Sequence, residues 1–407
     1  MYYNADKELN YQIMFAIACL NPNDDKDIVD KKIKIVTKYI DIFSSIRVFN
    51  FAKINWNTNK YDLFNTIKNI RGLSLAELTT VLTCKLIDMD LRLDAIVDNS
   101  FGWNQFTGKY ILHILARFTD YVETEMGNES LFDSYVNRSV KNSYDREHVL
   151  PDKYEDYKDE FSSLDEFNTF RWKIGNLILL KLDKNRSYQD MKYDAKKKLY
   201  LTNNILAQSF NEDCYKNNPK FERFILEHGF NLKPYNSFGK QGINDRQKLY
   251  QDMAIEIWNF NGLKKISNEW DENLEKEIFA KKLANSISID LLSDRLDKLT
   301  HKKPFLIDIQ GYCCDCTSFV DMALKILEYL YQLDSDKMVL LAKSNFDSKL
   351  NYVEGDETRT IKNGLNNGKV LYNNLIVEMN ASAKSLGMFI KDLLNEYNIS
   401  SCIIYLK

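Results

Sequence analysis

Histidine, proline and glycine are all scarce in this sequence: four, five and fourteen among 407 residues. So few helix breakers leave helix as the dominant expectation. No apolar run is long enough to span a bilayer. The N-terminal "MYYNADKELNYQIMF" lacks the basic, apolar, small-residue order of an export signal. Seven cysteines follow no spaced framework, which excludes a disulfide scaffold and points to reduced thiols in a cytoplasmic protein. A net charge of −3 excludes a polycation, so any contact with nucleic acid must come from a local patch.

The chain does hold ample core material, with 44% hydrophobic and 28% charged residues. That is a globular balance, long enough for two or three domains. Residues 10–145 read as helices. In "VDKKIKIVTKYIDIFSSIRVF", Ile33, Val36, Ile40 and Phe43 fall three or four apart, and Ile35, Tyr39, Ile42 and Ile46 widen that face. Two further amphipathic segments break at Gly72, and Ser74 with Glu77 forms a capping-box signature for the second. "YILHILARFTDYVETEM" is another helix, with His113 on its apolar side as a core residue. Positions 152–166 carry seven carboxylates against two lysines, and positions 171–198 reverse this with nine Lys/Arg against three Asp. Such runs are ordinary solvated surface unless a chemical group stands beside them.

One group does. "REHVLP" places Glu147 and His148 before Pro151, and "WKIGNLILLKLDKNRSYQD" follows with Asn176 and, nine residues later, Asn185 and Arg186. The local reading is a β-hairpin, "REHVLP" ending one strand and "NLILL" forming the other, with "DKNRSYQD" opening a helix. A hard divalent cation takes oxygen ligands, and the Glu147 carboxylate with the Asn185 amide suits Mg²⁺ or Mn²⁺. A neutral His148 can take a proton from an attacking water. Asn176 can hold the histidine loop. Arg186, Lys173 and Lys184 can grip flanking phosphates. A lone Glu-His pair would read as a strand cap; the full ordered set favours a site.

This pattern resembles the ββα-metal, or HNH, nuclease motif: Glu-His-x-x-Pro, Gly-Asn-Leu-x-Leu-Leu, Lys-Asn-Arg. More narrowly it resembles the C-terminal HNH domain (DUF1524) of the GmrSD family of modification-dependent restriction systems, over roughly 25–262. "KYIDIFSSIRVFNFAKINW" and "YDLFNTIKNIR" look like the helical segment before the motif, and "DRQKLYQDMAIEIW" like the closing helix. The motif's last histidine is Asn185 here. The resemblance implies a metal-dependent DNA endonuclease subunit of a phage-defence system, with His148 as general base and Glu147 and Asn185 as metal ligands. It also implies a ParB-like DUF262 module, absent from this sequence and expected as a separate partner or a preceding domain. The alternative is an inactive DNA-binding or interaction subunit.

The expected architecture is mainly α with an embedded ββα-metal motif and a small α+β C-terminal domain. Residues 1–145 form the helical N-terminal part, 146–262 the nuclease core and closing helices, 263–304 a helical connector, and 305–407 an α+β accessory domain. In the last, "FVDMALKILEYLYQL" and "SAKSLGMFIKDLLNEYNI" read as helices, "KVLYNNLIVEM" as a strand pair and "SCIIYL" as a strand. Cys313, Cys314 and Cys316 tempt toward zinc, but a structural site needs a second spaced pair, so free thiols are expected. His228 and His301 read as surface residues, and "NGLNNGK" (363–369) as turn chemistry.

Overall fold

The computed structural model describes residues 1–89, 91–188, 191–293, 295–344, 346–352, 368–372 and 374–407. Of the turn expected over 363–369, residues 363–367 lie outside the described residues, and Gly368 and Lys369 open a strand instead. The chain divides into two compact units, Met1–Glu275 and Lys276–Lys407.

The first unit is built on helices, chief among them α1 (Lys26–Phe49), α2 (Trp56–Asn69), α3 (Leu75–Ile87) and α4 (Gly108–Glu125). Asp25 caps α1 by accepting from the Ile28 N–H. Ser74 and Glu77 exchange both bonds of a capping box at the start of α3. Most of the apolar stripe of α1 is buried: Ile35, Val36, Tyr39, Ile40, Ile42, Phe43 and Ile46 face the main core, while Ile33, one turn nearer the N-terminus, is only half-buried. Lys32 is buried with them, its ammonium held by Asp24 and the Leu73 carbonyl.

Within this helical body sits one antiparallel hairpin, β1 (Tyr144–His148) and β2 (Leu177–Lys181). Between the strands lies α5 (Leu164–Arg171); after them come α6 (Leu182–Tyr188) and α7 (Tyr193–Tyr200). β2 is buried on both faces, which explains its unbroken apolar run. Leu177 and Leu179 enter the main core, and Ile178 and Leu180 enter a second, aromatic-rich core with Tyr188, Tyr193 and Tyr200. Later in the unit come α8 (Pro219–His228) and α9 (Lys240–Ile257). α9 clamps the approach to β2: the Gly175 N–H donates to Gln247 Oε1 at 2.8 Å, and a Cβ at Gly175 would lie 2.2 Å from the Ile243 carbonyl. Only glycine allows that approach.

The second unit is α+β. Helix α10 (Glu272–Ala284) bridges the boundary. It leads into β3 (Ile287–Asp290), so 263–304 holds a strand as well as helix. A four-stranded antiparallel sheet runs in the order β3, β9 (Cys402–Leu406), β4 (Pro304–Ile309), β5 (Tyr312–Asp315). A three-stranded sheet runs β6 (Leu350–Tyr352), β8 (Leu375–Glu378), β7 (Gly368–Tyr372). Helices α11 (Phe319–Leu333), α12 (Ser335–Lys343) and α13 (Ala383–Glu396) pack their apolar stripes into this unit's own core.

Cys316 and Cys402 are buried, and burial pushes both thiols up to about 12. Cys313 is exposed. No group of three or more metal-binding side chains of the His, Cys, Asp or Glu type clusters among the described residues. His113 is a core residue, its Nδ1 2.7 Å from Asp6. His301 is exposed. His228 departs from expectation: it is largely enclosed, with Nδ1 2.7 Å from Glu256 and the ring against Phe224 and Phe230. No helix among the described residues is long and apolar enough to cross a membrane.

Candidate functional site

The register of the hairpin decides which way each candidate points. Glu147 lies opposite Ile178, and His148 opposite Leu177. Side chains of directly opposed residues share a face, and successive residues alternate. Glu147 therefore projects with Ile178 toward the aromatic-rich core, whereas Arg146 and His148 project to the other face.

Asn176 stitches the loop after His148 to the hairpin. Its backbone carbonyl accepts from the Val149 N–H at 3.0 Å, its Oδ1 from the Leu150 N–H at 2.8 Å, and its Nδ2 donates to the Arg171 carbonyl at 2.8 Å. The residue is fully buried, so every one of these bonds is shielded. Asn185, on α6, donates through Nδ2 to the Arg146 carbonyl at 2.9 Å. Helix and strand are thereby joined one residue from Glu147. Of the basic candidates, Arg186 is exposed. Lys184 donates to Thr202 Oγ1 at 3.0 Å. Lys173 lies 3.8 Å over the Phe170 ring and reaches Asn244 Oδ1 at 3.3 Å.

Glu147 is only 3% exposed. Both hydrogen bonds that hold it end on Oε1: one from Lys196 Nζ at 2.6 Å, the other from the Tyr200 hydroxyl at 3.5 Å. Burial pushes its carboxyl pKa up, and Lys196 offsets this only in part. On the opposite face His148 lies in an aromatic slot. Its ring stacks on Trp103 at 6.0 Å and meets the Trp172 edge at 5.0 Å. The Arg146 guanidinium lies 3.5 Å over the same Trp103. His148 Nε2 is buried with no hydrogen-bond partner. Burial first, then the positive charges of Arg171, Lys196 and Arg146, lower the His148 pKa to about 3, so the ring is neutral at pH 7.

The slot is built by close backbone approach. Trp103 N–H donates to the Trp172 carbonyl at 2.8 Å. A Cβ at Gly102 would lie 2.1 Å from that carbonyl. Trp103, Trp172, Lys196 and Tyr200 are absent from the sequence-based site. Lys196 does leave a trace, since it shares a helical face with Tyr193 and Tyr200, at steps of three and four. A lysine on an aromatic stripe demands a buried anion.

A hard cation fits the donor types present but not without competition. Glu147 supplies a carboxylate and Asn185 an amide oxygen, the classes such an ion takes. The Lys196 ammonium already stands against Glu147 Oε1 and the His148 carbonyl, at 2.6 and 2.8 Å. A divalent ion there would need the Glu147 and Asn185 oxygens, with water and a substrate phosphate completing its shell.

A hairpin of one half-buried and one buried strand, followed by a short helix, thus carries a carboxylate, an imidazole and two amides inside a helical body. Residues 92–253 match the family model for the GmrSD restriction endonucleases, C-terminal domain. This match, which contains the whole hairpin and helix, supports a GmrSD-type C-terminal nuclease domain over that segment. No curated protein and no solved structure matches the chain significantly.

Proposed function

We propose that this chain is the metal-dependent DNA endonuclease subunit of a modification-dependent restriction system, acting in phage defence in the cytoplasm. The observation that carries the reading is the family match over 92–253, inside which Asn185 is bonded to the strand that bears Glu147 and His148. The substrate is a DNA phosphodiester. Neutral His148 takes the proton of the attacking water at a ring nitrogen, once substrate engagement opens the Trp103–Trp172 slot. Asn176 fixes the loop that follows His148. Glu147 and Asn185 are the residues that would hold Mg²⁺ or Mn²⁺, which when bound supplies charge stabilisation for the phosphate and leaving oxygen. Arg186, Lys184 and Lys173 hold flanking phosphates. The nucleotide-dependent partner is a ParB-like DUF262 protein or domain.

Plasmid nicking with Mg²⁺ or Mn²⁺, comparing wild type with His148→Ala, tests this. Wild type nicks; His148→Ala loses about 10²-fold or more of the rate, the scale of a missing general base, and keeps its DNA affinity. Equal nicking by both proteins would sink the assignment.

The second reading, a non-cleaving DNA-binding or interaction subunit, is favoured by one feature: Glu147 is closed against Lys196 and His148 Nε2 is shielded. It predicts DNA binding without metal-dependent nicking, with or without the partner.

A further inference from the structure

Lys196 has no role in the chemistry above, yet its placement is specific. Its side chain is 1% exposed. The ammonium donates to a carboxylate oxygen of Glu147 and to the backbone carbonyl of His148. These are the oxygen types that a hard divalent cation takes. α7 holds the lysine there by burying Tyr193 and Tyr200 on the same face, both in the core that receives Ile178. The ammonium thus stands as a covalently tethered monovalent cation against the one acidic side chain expected to bind metal.

We propose that Lys196 is a built-in competitor for the metal: its ammonium and a divalent ion contend for Glu147, and the affinity of the chain for the ion is set by how readily Lys196 yields. The inference rests on the reading of Glu147 as a metal ligand. Two cations crowded against one buried carboxylate repel strongly at low dielectric. Metal entry therefore requires the ammonium to withdraw from Oε1. Lys196 is a gating residue in this scheme and not a catalytic one.

The test is Mn²⁺ binding to the full chain, read by calorimetry and by the electron paramagnetic resonance signal of free Mn²⁺, in the absence of DNA. Wild type, Lys196→Met, Lys196→Gln, Glu147→Gln and the double variant Glu147→Gln/Lys196→Met are compared. Lys196→Met and Lys196→Gln bind Mn²⁺ roughly tenfold or more tightly than wild type, the factor that 1.4 kcal/mol represents. The double variant loses that gain. Lys196→Gln keeps an N–H donor for Glu147 and covers the case in which the methionine variant fails to fold. If both Lys196 variants bind as wild type does while Glu147→Gln binds more weakly, the ion uses Glu147 without contest and the gating proposal falls alone. If no variant binds Mn²⁺, or if Glu147→Gln binds as wild type does, the metal assignment falls and the gate with it.

Discussion

Two buried carboxylates in the first unit make the instructive contrast. Asp41 on α1 is 3% exposed, as is Glu147 on β1. Asp41 divides its partners over both oxygens: Lys7 at 3.1 Å on Oδ1, and Arg117 at 2.8 Å and the Trp258 indole N–H at 3.1 Å on Oδ2. Burial alone would raise its pKa, yet Arg117, Lys7 and Lys38 hold it far below the usual carboxylate range. Lys7 is itself satisfied by Ser44 at 2.6 Å and Ser45 at 3.3 Å. That is a closed network. Glu147 is bonded by one cation, Lys196, with Arg171 only a more distant charge; both its bonds end on one oxygen, and its pKa stays raised. A protein that needs a carboxylate only for structure surrounds it with cations; a buried carboxylate whose pKa stays raised, next in sequence to an imidazole, is where function is sought.

The largest expected effect tests the closed network. Asp41→Asn leaves Lys7 and Arg117 buried without their anion, which costs about 3–5 kcal/mol. All five tryptophans, at positions 56, 103, 172, 258 and 270, lie in the first unit, so urea unfolding followed by tryptophan emission reads that unit alone. Glu147→Gln strands one buried cation, Lys196, rather than two, and so falls at the low end of that range, about 3 kcal/mol. A loss equal to that of Asp41→Asn would erase the contrast and make Glu147 a structural residue.

Removing both partners sharpens the point. Glu147→Gln/Lys196→Met lacks the buried charge pair altogether and lies within about 1 kcal/mol of wild type in the same assay. A double variant less stable than either single one would mean that the pair has further structural partners.

A smaller effect separates the two faces of β1. His148 is held neutral, with a pKa near 3 against the usual 6.5. An unfolded chain takes up the proton as pH falls past 6.5, while the folded chain does not until about 3. The unfolded state binds more protons in that window, so stability is full above pH 6.5 and declines as pH falls through it. His148→Phe reduces the slope of thermal midpoint against pH by about one proton's worth. His113, buried and lowered to about 4, supplies a similar slope that this variant leaves intact. An unchanged slope would show that His148 is not desolvated.

The smallest effect is expected at the surface. Arg92 pairs with Asp94 and Asp98 at 2.9 and 2.6 Å, but all three side chains are about half exposed. Arg92→Ala changes stability by at most about 0.5–1 kcal/mol. A larger loss would place Arg92 in the load of the fold rather than on its solvated face.

Much of this was legible in the sequence because it depends on periodicity and local chemistry. The stripe on α1, the Ser74–Glu77 cap, the break at Gly72, and the helices α11 and α13 follow from spacing. The hairpin of β1 and β2 and the start of α6 also follow, from Pro151, the apolar "NLILL" and the polar "DKNR". β3 and β4 did not. β3 lies within a charged, helix-like stretch, and "PFLIDI" is a short apolar run without alternation, which periodicity cannot assign. β9 was legible as a strand, but its place in the middle of the four-stranded sheet is non-local.

The sequence by itself determined which chemical groups are present and in what order: an acid beside an imidazole, an amide near the second strand, another nine residues on. Local rules suffice for that, since strand, turn and helix are short-range. Only the tertiary structure decided their surroundings. Cross-strand register turned Glu147 and His148 to opposite faces, α7 carried Lys196 to the acid, and the Gly102 contact brought Trp103 and Trp172 around the imidazole. Burial and charge pairing between distant segments set the protonation and access of these groups, and no local pattern encodes them.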